Sequence, residues 1–360
     1  MITAHGSPVF TFLKELAPQV PAMIQPTRLS SLSTTPRWAL SLGCGFLLAA
    51  SLCAQNAPLA PSDLPGKGLR QHEFFYAGEQ KQHQMFIVKH GRVVWSYVDP
   101  NSKGEISDAV LLSNGNILFA HQYGVTLITQ NKNVVWNFDA PQGTEIHTAQ
   151  PIGTGHVLFI QNGDPALLRV VNIGTGKVER EFTLSVGNPK SVHGQFRHAR
   201  LTDAGTVLVA HMDMKKVVEY DSAGKQVWSY DVDSPWSAER LKNGNTLITT
   251  NKKLVLEVDP NRRVVWSLKA EDAPAYQIQG FQIATRLPSG NTLVNNWVNT
   301  WNTTVDKNNP PVQALEFTPD KDIVWALSAW DDPADLGPAT TIQVLDRPDA
   351  EEKVHFGDIQ

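Results

Sequence analysis

A short phrase recurs at intervals down this chain. Val93-Val94-Trp95-Ser96-Tyr97 returns as Val134-Val135-Trp136-Asn137-Phe138 and as Val227-Trp228-Ser229-Tyr230. It returns again as Val264-Val265-Trp266-Ser267-Leu268 and Ile323-Val324-Trp325-Ala326-Leu327. In three units a second phrase precedes it: Leu112-Ser113-Asn114-Gly115-Asn116, Leu241-Lys242-Asn243-Gly244-Asn245 and Leu287-Pro288-Ser289-Gly290-Asn291. Repetition of this length, with turn signals between short apolar strands, is the mark of a β-propeller. The expected fold is all-β: a six-bladed propeller of four-stranded antiparallel blades.

Each unit reads as strands A to D from the channel outward. In the second, the strands are 108–112, 116–121, 125–129 and 134–138. Asn114-Gly115 supplies the positive φ that a tight hairpin needs. In strand D, Val134, Trp136 and Phe138 share one face, which predicts a large ring wedged between neighbouring sheets at one fixed position per unit. The six units lie near 74–98, 106–146, 147–193, 194–235, 236–279 and 280–327. The third is degenerate, with Phe182 in place of the tryptophan. The first lacks an inner strand, and 340–345 is expected to supply it, closing the ring by pairing the two chain ends. A seven-bladed ring, with 328–360 as a poorly marked blade, is the alternative.

The predicted propeller spans 73–346, between a disordered linker at 55–72 and a C-terminal tail at 347–360. Residues 38–54 form an apolar run behind Arg28 and Arg37, ending in Leu52-Cys53-Ala54. This reads as a secretory signal peptide over 1–54, with a true start at Met23 and an exported, periplasmic or extracellular product. No membrane span is expected after cleavage, because the run is short of the ~20 residues a span needs. Both cysteines, Cys44 and Cys53, lie in this segment, so the mature chain would have neither disulfide nor thiolate. Removing Lys14, Arg28, Arg37 and Glu15 from 31 basic and 35 acidic residues leaves 28 and 34, a net charge of −6. No basic stripe appears, and nucleic acid is not an expected partner.

In a propeller the start of strand A, the end of strand B, and the D–A and B–C loops share one mouth of the channel. Aligned on the turn glycines, the units place Asp108, His147, Arg197, His198, Trp236 and Gln282 at strand A starts. His121, His211 and Asn296 fall at strand B ends. The sixth unit has an enlarged B–C loop carrying Trp297 and Trp301, and Trp330 follows in the next D–A loop. Three chemistries compete here. Arg197 could fork onto a sulfate or phosphate, with His147 or His198 as nucleophile or base; these are the candidate catalytic residues. A histidine metal site lacks any compact His-x-His or His-x-x-x-His spacing, and none is expected. Trp236, Trp297 and Trp301, with Asp108, His121, His211, Gln282 and Asn296, could instead bind a small molecule, glycan or protein.

The Leu-x-Asn-Gly-Asn turn, Glu257-Val258-Asp259-Pro260 leading to Val264-Val265-Trp266, and Glu219-Tyr220-Asp221 leading to Val227-Trp228 resemble the quinoprotein-like repeat superfamily. They are most similar in style to its arylsulfotransferase-type propellers. Nearly the whole mature chain shares this likeness, which rests on turns and wedges. It implies an exported six-bladed ring; in the sulfotransferase branch, a channel histidine accepts the sulfuryl group. The quinone-dependent branch has eight blades and a vicinal disulfide, so pyrroloquinoline quinone is not expected and no cofactor is predicted. The leading expectation is a binding propeller; the alternatives are an arylsulfotransferase-like enzyme and a non-catalytic cell-envelope scaffold.

Overall fold

The computed structural model describes residues 58–79, 83–100, 103–348 and 350–360. The predicted signal peptide and the start at Met23 lie outside the described residues. Among the described residues there are six four-stranded antiparallel sheets and one two-stranded hairpin. No helix among them is long and apolar enough to cross a membrane.

The blades follow the repeats. In blade 1, strands B to D are Phe74–Ala77, Gln84–Lys89 and Arg92–Val98, and the inner strand is Thr341–Val344. That strand lies antiparallel to strand B, with Phe74 opposite Val344 and Ala77 opposite Thr341. The inner strands of blades 2 to 6 are Asp108–Leu111, Glu145–Ile152, Phe196–Leu201, Pro235–Arg240 and Phe281–Arg286. Residues 328–340 form only the small hairpin Trp330–Asp331 with Ala334–Asp335. Trp330 is buried there and donates to the Pro311 carbonyl at 2.6 Å, so it braces a loop.

Strands B and C are buried along both faces in most blades, whereas strand D alternates between exposed and half-buried positions. This is the pattern of sheets stacked face to face around an axis with only the outermost strand wet. The strand D tryptophans do wedge between blades, but at the rim. Trp95 Nε1 donates to the Gln130 carbonyl of blade 2 at 2.7 Å, and Trp266 Nε1 to the Pro319 carbonyl of blade 6 at 2.9 Å. Arg240 and Arg286, each from the following blade, lie over the Trp228 and Trp266 rings at 5.1 and 5.4 Å.

The two sequence phrases meet at these junctions. Asn245 of the Leu-x-Asn-Gly-Asn turn donates to Glu257 Oε1 at 2.6 Å, and Arg286 of the next blade donates to Glu257 Oε2 at 2.8 Å. Thr206, Glu219 and Arg240 repeat the bridge one blade earlier. Between blades 6 and 1, Asn291 holds Glu316 Oε1, and His72 stands 2.7 Å from Glu316 Oε2 and edge-on to Trp325. In degenerate blade 3 the wedge is Phe182, whose ring would lie 2.7 Å from a Cβ at Gly224 of blade 4. Gly224 has a φ of +80°, so backbone and space both demand glycine.

Two segments depart from expectation. Residues 58–72, expected as a disordered linker, pack on blade 6 over the described part. Pro65 accepts from Ala326 N at 3.1 Å, and Gly68 from Trp325 Nε1 at 2.9 Å. They cover an edge strand, which is why Trp325 is fully buried while Trp228 is not. Residues 350–360, in the stretch 347–360 expected as a tail, also pack on the ring. Phe356 is buried with blades 3 and 4, and Gly153 N donates to the Glu352 carbonyl at 3.1 Å.

Trp325→Ala should therefore cost about 3–5 kcal/mol, the range for a fully buried ring. Trp228→Ala, at the wet rim, should cost clearly less. Thermal melts of the two variants check this; equal losses would mean that the wedges are equivalent.

Candidate functional site

At the mouth formed by the D–A and B–C loops lies a cavity of about 510 Å³. Its wall comes from Glu79 (blade 1 B–C loop), Gly104 and Glu105 (ahead of blade 2), and Gln122 and Tyr123 (blade 2 B–C loop). His193, Arg197 and Trp236 belong to the starts of blades 4 and 5, and Trp297, Asn299, Trp301 and Asn302 to the enlarged loop of blade 6. The three tryptophans are all half-buried. At the opposite end a second cavity, about 610 Å³, is lined by the A–B turns and by Asp346, Arg347, Ala350, Glu351 and Val354 of the packed C-terminal segment.

A bulge sorts the strand A side chains. In blades 3 and 4 the A–B register shifts across His147-Thr148 and Arg197-His198, and in blades 5 and 6 across Trp236 and Gln282-Ile283. The extra residue turns one side chain toward the mouth and sends its neighbour into the wall. Thus Arg197 faces the cavity and its guanidinium lies 4.7 Å from the Trp236 ring. Its Nη1 is taken by the His193 carbonyl at 2.5 Å, and its Nε has no hydrogen-bond partner.

His198 goes elsewhere. Arg200 donates to its Nδ1 at 3.0 Å, so the ring's proton sits on Nε2, which donates to the Ser107 carbonyl at 3.1 Å. Burial pushes its pKa down to about 3, against the pull of Asp108. Asp108 takes both arms of Arg200 at 2.8 Å and also accepts from Thr148 and Ala149 N, tying blades 2, 3 and 4. The structure thus separates His198 from Arg197 and His147.

His147 lies between two carboxylates, with Nδ1 3.0 Å from Glu105 and Nε2 2.8 Å from Glu145. His193 Nδ1 also lies 2.8 Å from Glu145. Trp301 Nε1 donates to Glu79 at 2.6 Å. Burial, then the charge of Glu105, pushes the Glu79 carboxyl up to about 8. Burial acts the same way on Glu105, but the hydrogen bond and charge of His147, with Arg197, hold it well below the usual carboxylate range. These two carboxyl groups are driven apart, one neutral and one ionised at neutral pH.

Other expected residues serve the walls. His121 bonds Thr126 at 3.1 Å, and His211 packs on Phe196 and meets the Tyr220 hydroxyl at 2.9 Å. Asn296 spans Gln277, Gln279 and Val312, bracing the loop that presents Trp297 and Trp301. Gln282 is buried, and neither of its amide atoms bonds to another protein group. Sequence reasoning missed Glu79, Glu105, Glu145 and His193. Glu145 was the findable one, two residues before His147 on the same strand.

These features define a six-bladed β-propeller with a carboxylate-rich, tryptophan-lined mouth. The model of the family described as outer membrane protein assembly factor BamB (PQQ_2) matches residues 180–296. No curated protein matches the chain. Among solved structures, a protein of unknown function from Bacteroides caccae is similar at 24% identity and TM-score 0.65, covering 75% of this chain and 97% of that one. A streptogramin B lyase is similar at 11% identity and TM-score 0.50, covering 72% of this chain and 85% of that one. At these identities the two structures speak for the fold alone.

The carboxyl pair predicts a pH signature. The fold keeps a proton on Glu79 that an unfolded chain releases near pH 4.5, so this group's stabilising contribution is full at low pH and lost as pH rises toward about 8. Glu79→Gln, which stays neutral and still accepts from Trp301, should raise the melting temperature relative to the unchanged protein more at pH 8.5 than at pH 5. A difference independent of pH would show that Glu79 ionises freely.

Proposed function

We propose that this protein is an exported binding propeller whose mouth holds a glycan. The carrying observation is three half-buried tryptophans, Trp236, Trp297 and Trp301, around one cavity of about 510 Å³ that also offers Glu79, Glu105, Gln122, Asn299, Asn302 and Arg197. A sugar ring needs a flat apolar face for its C–H side and polar groups of both kinds for its hydroxyls. The sulfuryl-transfer alternative has less support. Arg197 spends one arm on a backbone carbonyl, and Glu105 and Glu145 would repel a sulfate ester.

A second reading, a scaffold within the cell envelope, draws on the name of the matching family. It also draws on the outer strands, which leave Val94, Val134, Val135, Val227, Val264 and Val265 exposed at the rim.

Neutral oligosaccharides should quench the tryptophan fluorescence saturably and raise the melting temperature. Trp297→Ala and Trp236→Ala should each weaken binding about tenfold, the equivalent of about 1.4 kcal/mol. Absence of any response across a broad glycan panel would remove this reading and leave the scaffold.

A further inference from the structure

We propose that Glu105, His147 and His193 form a binding site for one divalent transition-metal ion, with Glu145 as the group that orients both histidines. One ligand atom from each of the three lies within 4.8 Å of the others. They come from three successive places around the mouth: the loop ahead of blade 2, the inner strand of blade 3, and the loop ahead of blade 4. Two imidazoles and one carboxylate, with the remaining positions open, is an arrangement suited to first-row divalent ions.

What distinguishes this cluster from a chance ion-pair network is its second layer. Glu145 Oε2 lies 2.8 Å from His147 Nε2 and 2.8 Å from His193 Nδ1. One carboxylate thus holds the rear nitrogens of both rings, which set in T-shaped contact with centroids 4.9 Å apart. Metal-bound histidines are characteristically held from behind in this way, which settles the tautomer and aims the other nitrogen. In His147 that other nitrogen, Nδ1, already faces Glu105 at 3.0 Å and the Ser107 hydroxyl at 3.0 Å.

The remaining adjustment falls on a movable ligand. His147 is fully buried, but the His193 side chain is half exposed on the short turn Val192–Gly194. Its exposure leaves room to tilt about the Glu145 contact toward the ~2.0–2.2 Å that zinc requires of its donors. Binding takes the proton from each ligating ring nitrogen, and Glu105 and Glu145 then face the ion as carboxylates. Glu105 and His193 line the tryptophan cavity, so an ion here would present its open positions to whatever occupies the mouth. The spacing of the residues, 105, 145, 147 and 193, hides this cluster in the sequence, because the ligands come from three separate blades.

The test is a Zn2+ titration of metal-stripped protein by calorimetry, run without sugar so that it stands apart from the glycan reading. One saturable site per chain is expected, with a zinc-dependent rise in melting temperature. His193→Gln and Glu105→Gln should each weaken binding at least about tenfold, and Glu145→Gln about 10–100-fold. The half-exposed His193 should be replaceable without loss of the fold, circular dichroism verifies the folding of every variant, and His90→Gln on the outer surface should change nothing. Absence of saturable binding, or binding that survives unchanged in His193→Gln and Glu145→Gln, would overturn the proposal.

Discussion

A glutamate bridge from strand C sets the three junctions that run from blade 4 round to blade 1. A blade is a two-faced sheet that cannot bury both faces alone, so the energy of the fold lies in blade-to-blade contact. Glu219 and Glu257 each reach from strand C to an arginine on the next blade's inner strand, and that arginine lies over the tryptophan of strand D. One contact thereby joins an ion pair, a ring contact and the turn asparagine or threonine behind the glutamate. The partners are only partly sheltered, so the ion pair itself is worth less than a fully buried one; its value is in setting the angle between sheets. At the last junction His72 takes the arginine's place, contributed by the segment ahead of blade 1 rather than by an inner strand.

Once the blades are locked, the inner strands become rigid rails, and what they present depends on the bulges. Arg197 and His198 are neighbours in sequence yet occupy different layers. Arg197 stands over Trp236 at the mouth, and His198 joins the Asp108–Arg200 layer beneath it. That lower layer is a structural floor. Asp108, fully served by Arg200, Thr148 and Ala149, stitches three blades, and burial leaves His198 neutral and fixed.

The mouth is consequently more acidic than its histidines suggest. Glu105 and Glu145 lie against His147 and His193, and Glu105 also faces the Arg197 guanidinium. The tryptophans and amides are the other groups that line the opening.

The sequence by itself determined the ring. The turn glycines, the alternating strand D and the regular Trp95, Trp136, Trp228, Trp266 and Trp325 are local, periodic signals, and each repeat reports them again. It also located the mouth, because the same ruler aligned Arg197, Trp236 and the swollen loop at Trp297 and Trp301. What it could not show is which of two adjacent residues a bulge turns inward, since a one-residue shift reverses every facing and leaves no mark on composition. Nor could it join Glu79 to Trp301, or Glu105 to His147 and His193, because those pairings cross blades and depend on loops whose positions the closed ring decides. The tertiary structure alone made His198, His211 and Asn296 parts of the wall. It also brought Glu79, Glu105, Glu145 and His193, unremarkable in the chain, to a single opening.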